Sequence, residues 1–224
     1  MQHTFLCDDT VLSEIVRTIS QPRLSRYMPA ANNDLRYALR LYVWNARICE
    51  SFYLPCQIAE VAIRNAISNA LTVHFKSDEW YNKGSFKCQL PKRSVDELEC
   101  VINRKRSDHG LQLTNNHVIS GIHFGFWAQL LTKNFEKTGV WPNKISMAFP
   151  NAQKTITRQI LYDKVERIRW FRNRVAHHYA VFDKGSMSVY ADIIEVIGWC
   201  SGSTRLFVEH FSKVSQTINA RPTA

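Results

Sequence analysis

Apolar side chains recur at intervals of three and four along most of this chain, and the residues that interrupt helices are scarce: eight glycines and seven prolines in 224 positions. That interval puts side chains on one face of a helix, whereas a strand needs alternation. The chain is thereby confined to the all-α class, as a helical bundle of about seven or eight helices. A first helix is expected from Asp9 to Ile19, stopped by Gln21-Pro22. A second starts from a cap at Asn33-Asp34 and runs to about Phe52, with Leu35, Leu39, Tyr42, Ala46 and Cys49 on one face. Pro55 suits the first turn of a third, which ends near Phe75 and carries Ala59, Ala62, Ala66 and Ala70 beside Ile63 as a stripe for close packing. Lys76 to Lys92 reads as irregular, Val95 to Arg106 as a charged helix, and Asn115 or Asn116 as the cap of a helix reaching about Lys133. Phe149-Pro150-Asn151 introduces a long basic helix, about Ala152 to His178, and two apolar helices follow, near Met187 to Cys200 and Arg205 to Ile218.

A chain that is 45% hydrophobic and 12% aromatic is not disordered. With no linker, it reads as a single domain over residues 1–224. No apolar run approaches a membrane span, and Met1 to Asp9 lacks the basic-then-apolar pattern of a secretory leader, so no membrane association and a cytoplasmic location are expected. The six cysteines (Cys7, Cys49, Cys56, Cys88, Cys100, Cys200) form no CxxC pair and read as free thiols. No metal site and no cofactor are expected. The net charge of +10 favours polyanionic partners, nucleic acid above all. Half of that excess falls between Lys154 and Arg174, where Lys154, Arg158, Lys164, Arg167, Arg169, Arg172 and Arg174 face only Asp163 and Glu166.

On the basic helix, Leu161, Val165, Ile168 and Val175 share the sector that faces a core, and Arg172 falls inside it. A guanidinium in an apolar sector must be paired or serve a function, because burying it alone is costly. Glu166, Arg169, Asn173 and His177 form a separate polar row. These residue types suit RNA cleavage. RNA carries its own nucleophile in the 2′-hydroxyl, so the protein need supply only a base, an acid and donors for the charge that grows on phosphorus. Histidine can exchange either proton, arginine can clamp phosphate, and asparagine can orient the imidazole or donate to a phosphate oxygen. On an ideal helix Arg172 and His177 lie about 140° apart, so the arginine must reach across, the helix must distort near its end, or a second protomer must contribute. His178 is a second candidate for proton transfer. A basic helix end with histidines also suits an ordinary solvated C-terminus. His117 and His123 flank an apolar run without metal-ligand spacing, and Trp127 and Trp141 read as core or interface.

Arg172-Asn173-Arg174-Val175-Ala176-His177 resembles the Rx4-6H signature of HEPN domains. Pro55, Ile58-Ala59-Glu60-Val61-Ala62-Ile63-Arg64-Asn65, Phe124-Gly125-Phe126-Trp127-Ala128-Gln129-Leu130 and Phe149-Pro150 precede it in the order seen in Abi-like (abortive infection) proteins. The resemblance covers roughly residues 35–180, with the helices of 187–218 packed on that part. It implies a HEPN-like helical bundle, a homodimer whose composite cleft cuts RNA without metal, and a role in phage defence or as a toxin restrained by an antitoxin. Arg172, Asn173 and His177 match the signature. Glu60 and Arg64 match the polar pair of the earlier helix, although their i,i+4 spacing is also that of an ordinary helix ion pair. Arg169 and His178 are supporting candidates. Tyr179 completes an Rx4HxY pattern that resembles HEPN toxins modified on tyrosine by a partner nucleotidyltransferase. The alternative to an endoribonuclease is a catalytically silent HEPN-like module that binds RNA or a protein.

Overall fold

The computed structural model describes residues 8–138, 141 and 144–223, with the side chains of 136–138 outside that description. Cys7 and the rest of the amino-terminal stretch through residue 7 lie outside it. The described residues hold helices and no strand. Thirteen α-helical segments appear among them, more than the seven or eight expected, because several expected helices are broken into pieces.

The first helix, α1, spans Asp9–Ile19 as expected and is capped by the Asp8 side chain. A four-residue α2 (Gln21–Leu24) holds in its first turn the proline expected to end α1. Next come α3 (Leu35–Ser51), capped by Asp34, and α4 (Tyr53–Phe75), with only Phe52 between them. The stretch expected to be irregular holds α5 (Gly84–Lys87), followed by α6 (Lys92–His109). The helix expected to run from Asn115 to Lys133 is two, α7 (Asn115–Gly121) and α8 (Phe124–Gln129). His123 makes the break, its imidazole Nδ1 accepting from the Phe126 amide as an N-cap while Nε2 meets Glu97 at 3.1 Å. After α9 (Ile145–Ala148), the basic helix α10 is Arg158–Ala176, six residues shorter at its start than expected because Thr157 caps it. Then follow α11 (Ser186–Cys200), α12 (Gly202–Phe211) and α13 (Val214–Asn219), the last two replacing one expected helix.

Helix α4 is the central strut. Its Ala59, Ile63, Ile67 and Ala70 are fully buried, and the small residues let α11 lie close along it with Val189, Ile193, Val196 and Ile197. Helix α10 packs on α11 and α8 and buries Leu161, Val165, Ile168 and Phe171. Trp127 and Trp141 are buried, their indole N–H groups donating to the Ile122 and Leu130 carbonyls, so both belong to the core. The expected face of α3 needs correction. Its buried residues are Tyr37, Ala38, Leu41, Trp44, Asn45 and Ile48, while Tyr42, Ala46 and Cys49 line an open cleft. No helix of the described residues is long and apolar enough to cross a membrane.

Candidate active site

Phe171, fully buried, stacks obliquely on Phe52 with ring centroids 4.6 Å apart, and this contact lays the end of α10 on the α3–α4 corner. The next residue, Arg172, therefore emerges into a cleft of about 1040 Å³ between α3, α4 and α10. Its Nε donates to Oε2 of Glu60 at 3.0 Å, and its Nη1 donates to Oδ1 of Asn173 at 3.3 Å. The guanidinium is thus paired, and with 40% of its side chain exposed it stands at the open edge of the apolar sector and not in the core expected for it. Glu60 reaches across to Arg172 and not along its own helix to Arg64, which donates from Nε to Asn65 Oδ1 at 3.3 Å. Arg23, Arg64 and His178 also line the cleft, opposed by Glu50 and Glu60. Cys56, in the same wall, is held neutral because burial pushes its thiol up to about 12, and Arg172 only partly offsets this.

The histidine that lines the cleft is His178; His177 and Asn173 do not. The reason is how α10 stops. The Tyr179 amide donates back to the Arg174 carbonyl at 2.9 Å and the His178 amide to the Val175 carbonyl at 3.1 Å, the paired bonds of a Schellman end. Such an end needs a left-handed residue after the cap, a place ordinarily taken by glycine, and here His178 holds it with φ 58°. The left-handed conformation costs a non-glycine residue about 1–2 kcal/mol. Lys76 takes the same left-handed conformation at the end of α4, with φ 49°. The chain reverses at His178 and brings its imidazole round to the side of Arg172. Both His177 and His178 satisfy the Rx4-6H spacing from Arg172, and of the two it is His178 that lines the cleft.

Three side chains hold this turn. Arg23 donates from Nη1 to the His178 carbonyl at 3.0 Å, and Arg174 from Nη2 to the Ala180 carbonyl at 2.6 Å. Buried Asn45 accepts from the amides of Val181 and Phe182 at 2.7 and 3.2 Å. On the far side of α10, the Arg174 guanidinium lies over the rings of Trp170 and Tyr179, 4.8 and 5.3 Å from their centroids. His177 sits beside this stack, 6.3 Å from Tyr179 between ring centres, and Tyr179 is 55% exposed.

The basic helix is less of an anion-binding stripe than its composition suggests. Lys164 and Arg167 pair with buried Asp192 of α11, and Arg169 makes two bonds to Glu166, so Arg169 is engaged outside the cleft. Arg158 donates to the Leu131 carbonyl. His117 closes a capping box with Thr114 and stacks on His109, rings 3.7 Å apart. Sequence reasoning missed Arg23, Tyr42, Glu50, Tyr53 and Gln57 as cleft residues. For two of them a signal existed: Tyr53, Gln57, Glu60 and Arg64 are spaced four, three and four apart, one stripe of a helix.

Among the described residues, no group of three or more His, Cys, Asp or Glu side chains is arranged to hold a metal ion. No family model, no curated protein and no solved structure matches the chain.

Proposed function

We propose that the chain is a HEPN-type, Abi-like endoribonuclease that cuts RNA without metal. The observation that carries this reading is the meeting of Arg172, Glu60, Arg64 and His178 in one open cleft, with His178 at the left-handed turn that ends α10. Attack of a 2′-oxygen on the adjacent phosphorus forms the P–O2′ bond and breaks the P–O5′ bond. The 2′-hydroxyl proton passes to a base and the departing 5′-oxygen takes a proton from an acid, leaving a 2′,3′-cyclic phosphate and a 5′-hydroxyl. His178 and Glu60 are the cleft groups suited to those two transfers, while Arg172 and Arg64 suit the phosphate charge, with Asn173 orienting Arg172. A homodimer with a composite cleft, an antitoxin or nucleotidyltransferase partner, modification of Tyr179, a cytoplasmic location and a role in phage defence or as a toxin belong to the same proposal and rest on the motif resemblance.

The silent RNA- or protein-binding module is the second reading, favoured by the Arg172–Glu60 pair, which satisfies the arginine without any ligand. Incubating RNA with the protein in EDTA separates the two. Under the nuclease reading the wild type leaves 2′,3′-cyclic phosphate ends, and Arg172→Ala and His178→Ala do not. Intact RNA with the wild type, across paired and unpaired substrates, sinks the nuclease reading.

A further inference from the structure

The α3–α4 corner gives the cleft a second end that proton transfer leaves unused. Phe52 alone separates the two helices, and it is the residue that stacks on Phe171. Tyr53 and Arg172 are therefore the residues that follow the two halves of one buried aromatic pair, which fixes where both backbones emerge. Pro55 stiffens the same turn. Yet Tyr53 keeps 70% of its surface exposed while lining the cleft beside Gln57 and Glu50. Among the described residues, the side chains of Tyr53, Gln57 and Glu50 make no hydrogen bond. An exposed aromatic ring on a fixed stretch of backbone, next to an unengaged amide and an unengaged carboxylate, is a platform with an edge reader. Along α4, Tyr53 stands about 10 Å from Glu60, one nucleotide's reach from the arginine that Glu60 holds.

We infer that this end of the cleft is a nucleobase subsite. An unpaired base stacks on Tyr53 and turns its edge to Gln57 and Glu50, while its phosphate reaches Arg172. The inference rests on the RNA-cleavage reading for the identity of its ligand, and it narrows the substrate to single-stranded RNA. Bases within a duplex keep their faces stacked on one another and their pairing edges engaged, so none is offered to Tyr53. Stacking alone is tolerant of sequence. Discrimination comes from Glu50, which accepts hydrogen bonds only: it favours guanine, adenine and cytosine, whose exocyclic amino groups donate, over uracil, which has no amino group and carries its one N3–H between two carbonyl oxygens.

Oligonucleotides carrying 2′-O-methyl groups cannot supply the nucleophile, so their binding reports the subsite without cleavage. Fluorescence anisotropy with such strands should show the wild type holding a single strand more tightly than the same sequence in a duplex. Tyr53→Ala should lose roughly ten-fold or more for the single strand, the size of one base–aromatic stack. Tyr53→Phe, which keeps the ring, should bind as the wild type does, and since Tyr53 is exposed neither change threatens the core. Glu50→Gln with Gln57→Ala should erase the preference for amino-bearing bases over uracil. Equal binding by wild type and Tyr53→Ala, or a duplex held as tightly as the single strand, overturns the subsite, and an unchanged base preference overturns the edge reading. A wild type that binds the single strand but leaves unmodified RNA whole defeats the nuclease and leaves the subsite standing. A wild type that cuts RNA, with Tyr53→Ala binding and cutting it equally well, does the reverse.

Discussion

On the cleft side of the last turn of α10 stand Arg172 and His178; on the outer side stand Arg174 and His177, the same two residue types one or two positions away. The two arginines are engaged differently. Arg174 is consumed by structure, covered by two rings and donating to the Ala180 carbonyl that keeps the turn closed. Arg172 is held by one carboxylate at the edge of open volume, a partner that a phosphate can replace. The histidines differ in backbone: His177 sits in an unstrained cap with φ −96°, His178 in the left-handed region. A contiguous motif is thus divided between two faces, the arginines by helical spacing and the histidines by the φ of His178.

The largest expected effect tests that division directly. In a metal-free RNA-cleavage assay, Arg172→Ala and His178→Ala should each lower the rate by about 10²–10⁴, the usual range for loss of a proton-transfer group or charge-stabilising donor. His177→Ala should stay near wild type. If His177→Ala is the more damaging change, the assignment of faces is reversed. Next in size is the brace of the turn. Asn45→Ala should destabilise the fold by about 1–3 kcal/mol, because the buried amide of Val181 and the part-buried amide of Phe182 lose their acceptor. Thermal melting reads this, and it should leave the outer stack of Trp170, Arg174 and Tyr179 as the better-protected side in hydrogen exchange.

The cleft wall offers a test that the outer face lacks. Cys56 ionises near 9.0 when unfolded but only near about 12 in the folded chain, where burial raises it. Between those values the unfolded state holds fewer protons than the folded one, so stability must fall as pH rises above about 9. The slope from one such thiol is about 1.4 kcal/mol per pH unit. Urea midpoints from about pH 8 to 11 should drop, and Cys56→Ala should flatten the decline by one thiol's share. No flattening would mean that Cys56 meets solvent through the cleft.

Much of the architecture was legible, and the exceptions have physical reasons. Asp34 as a cap, the small-residue stripe of α4 and an arginine in an apolar sector are local statements, and local statements survive folding. The buried face of α3 was misread because Asn45 looks like a surface residue, and its burial is set by amides 136 and 137 positions later in the chain. The α7–α8 break was hidden because histidine is not among the usual capping residues. Which of the two histidines lines the cleft was hidden because left-handed positions announce themselves as glycine or asparagine, and here neither is present. Glu60 was found, but its partner across the cleft could not be told from the i,i+4 pair that spacing alone suggested.

The smallest expected effect is the one most specific to the turn. At a position with φ 58°, glycine removes the steric cost borne by histidine, while its freer unfolded chain returns part of that gain. His178→Gly should therefore stabilise the protein by about 0.5–1 kcal/mol, or about 1–4 °C in a thermal melt. His177→Gly meets no left-handed strain at φ −96° and should lower stability slightly. Adjacent histidines changed to the same residue are thus expected to move the melting temperature in opposite directions, and the stabilised variant is the one that should lose RNA cleavage. That combination identifies a side chain retained against the interest of the fold. A drop in melting temperature with His178→Gly would mean that the imidazole is anchored by contacts that outweigh the strain, and the case for His178 as a group held ready for substrate would lose its backbone argument.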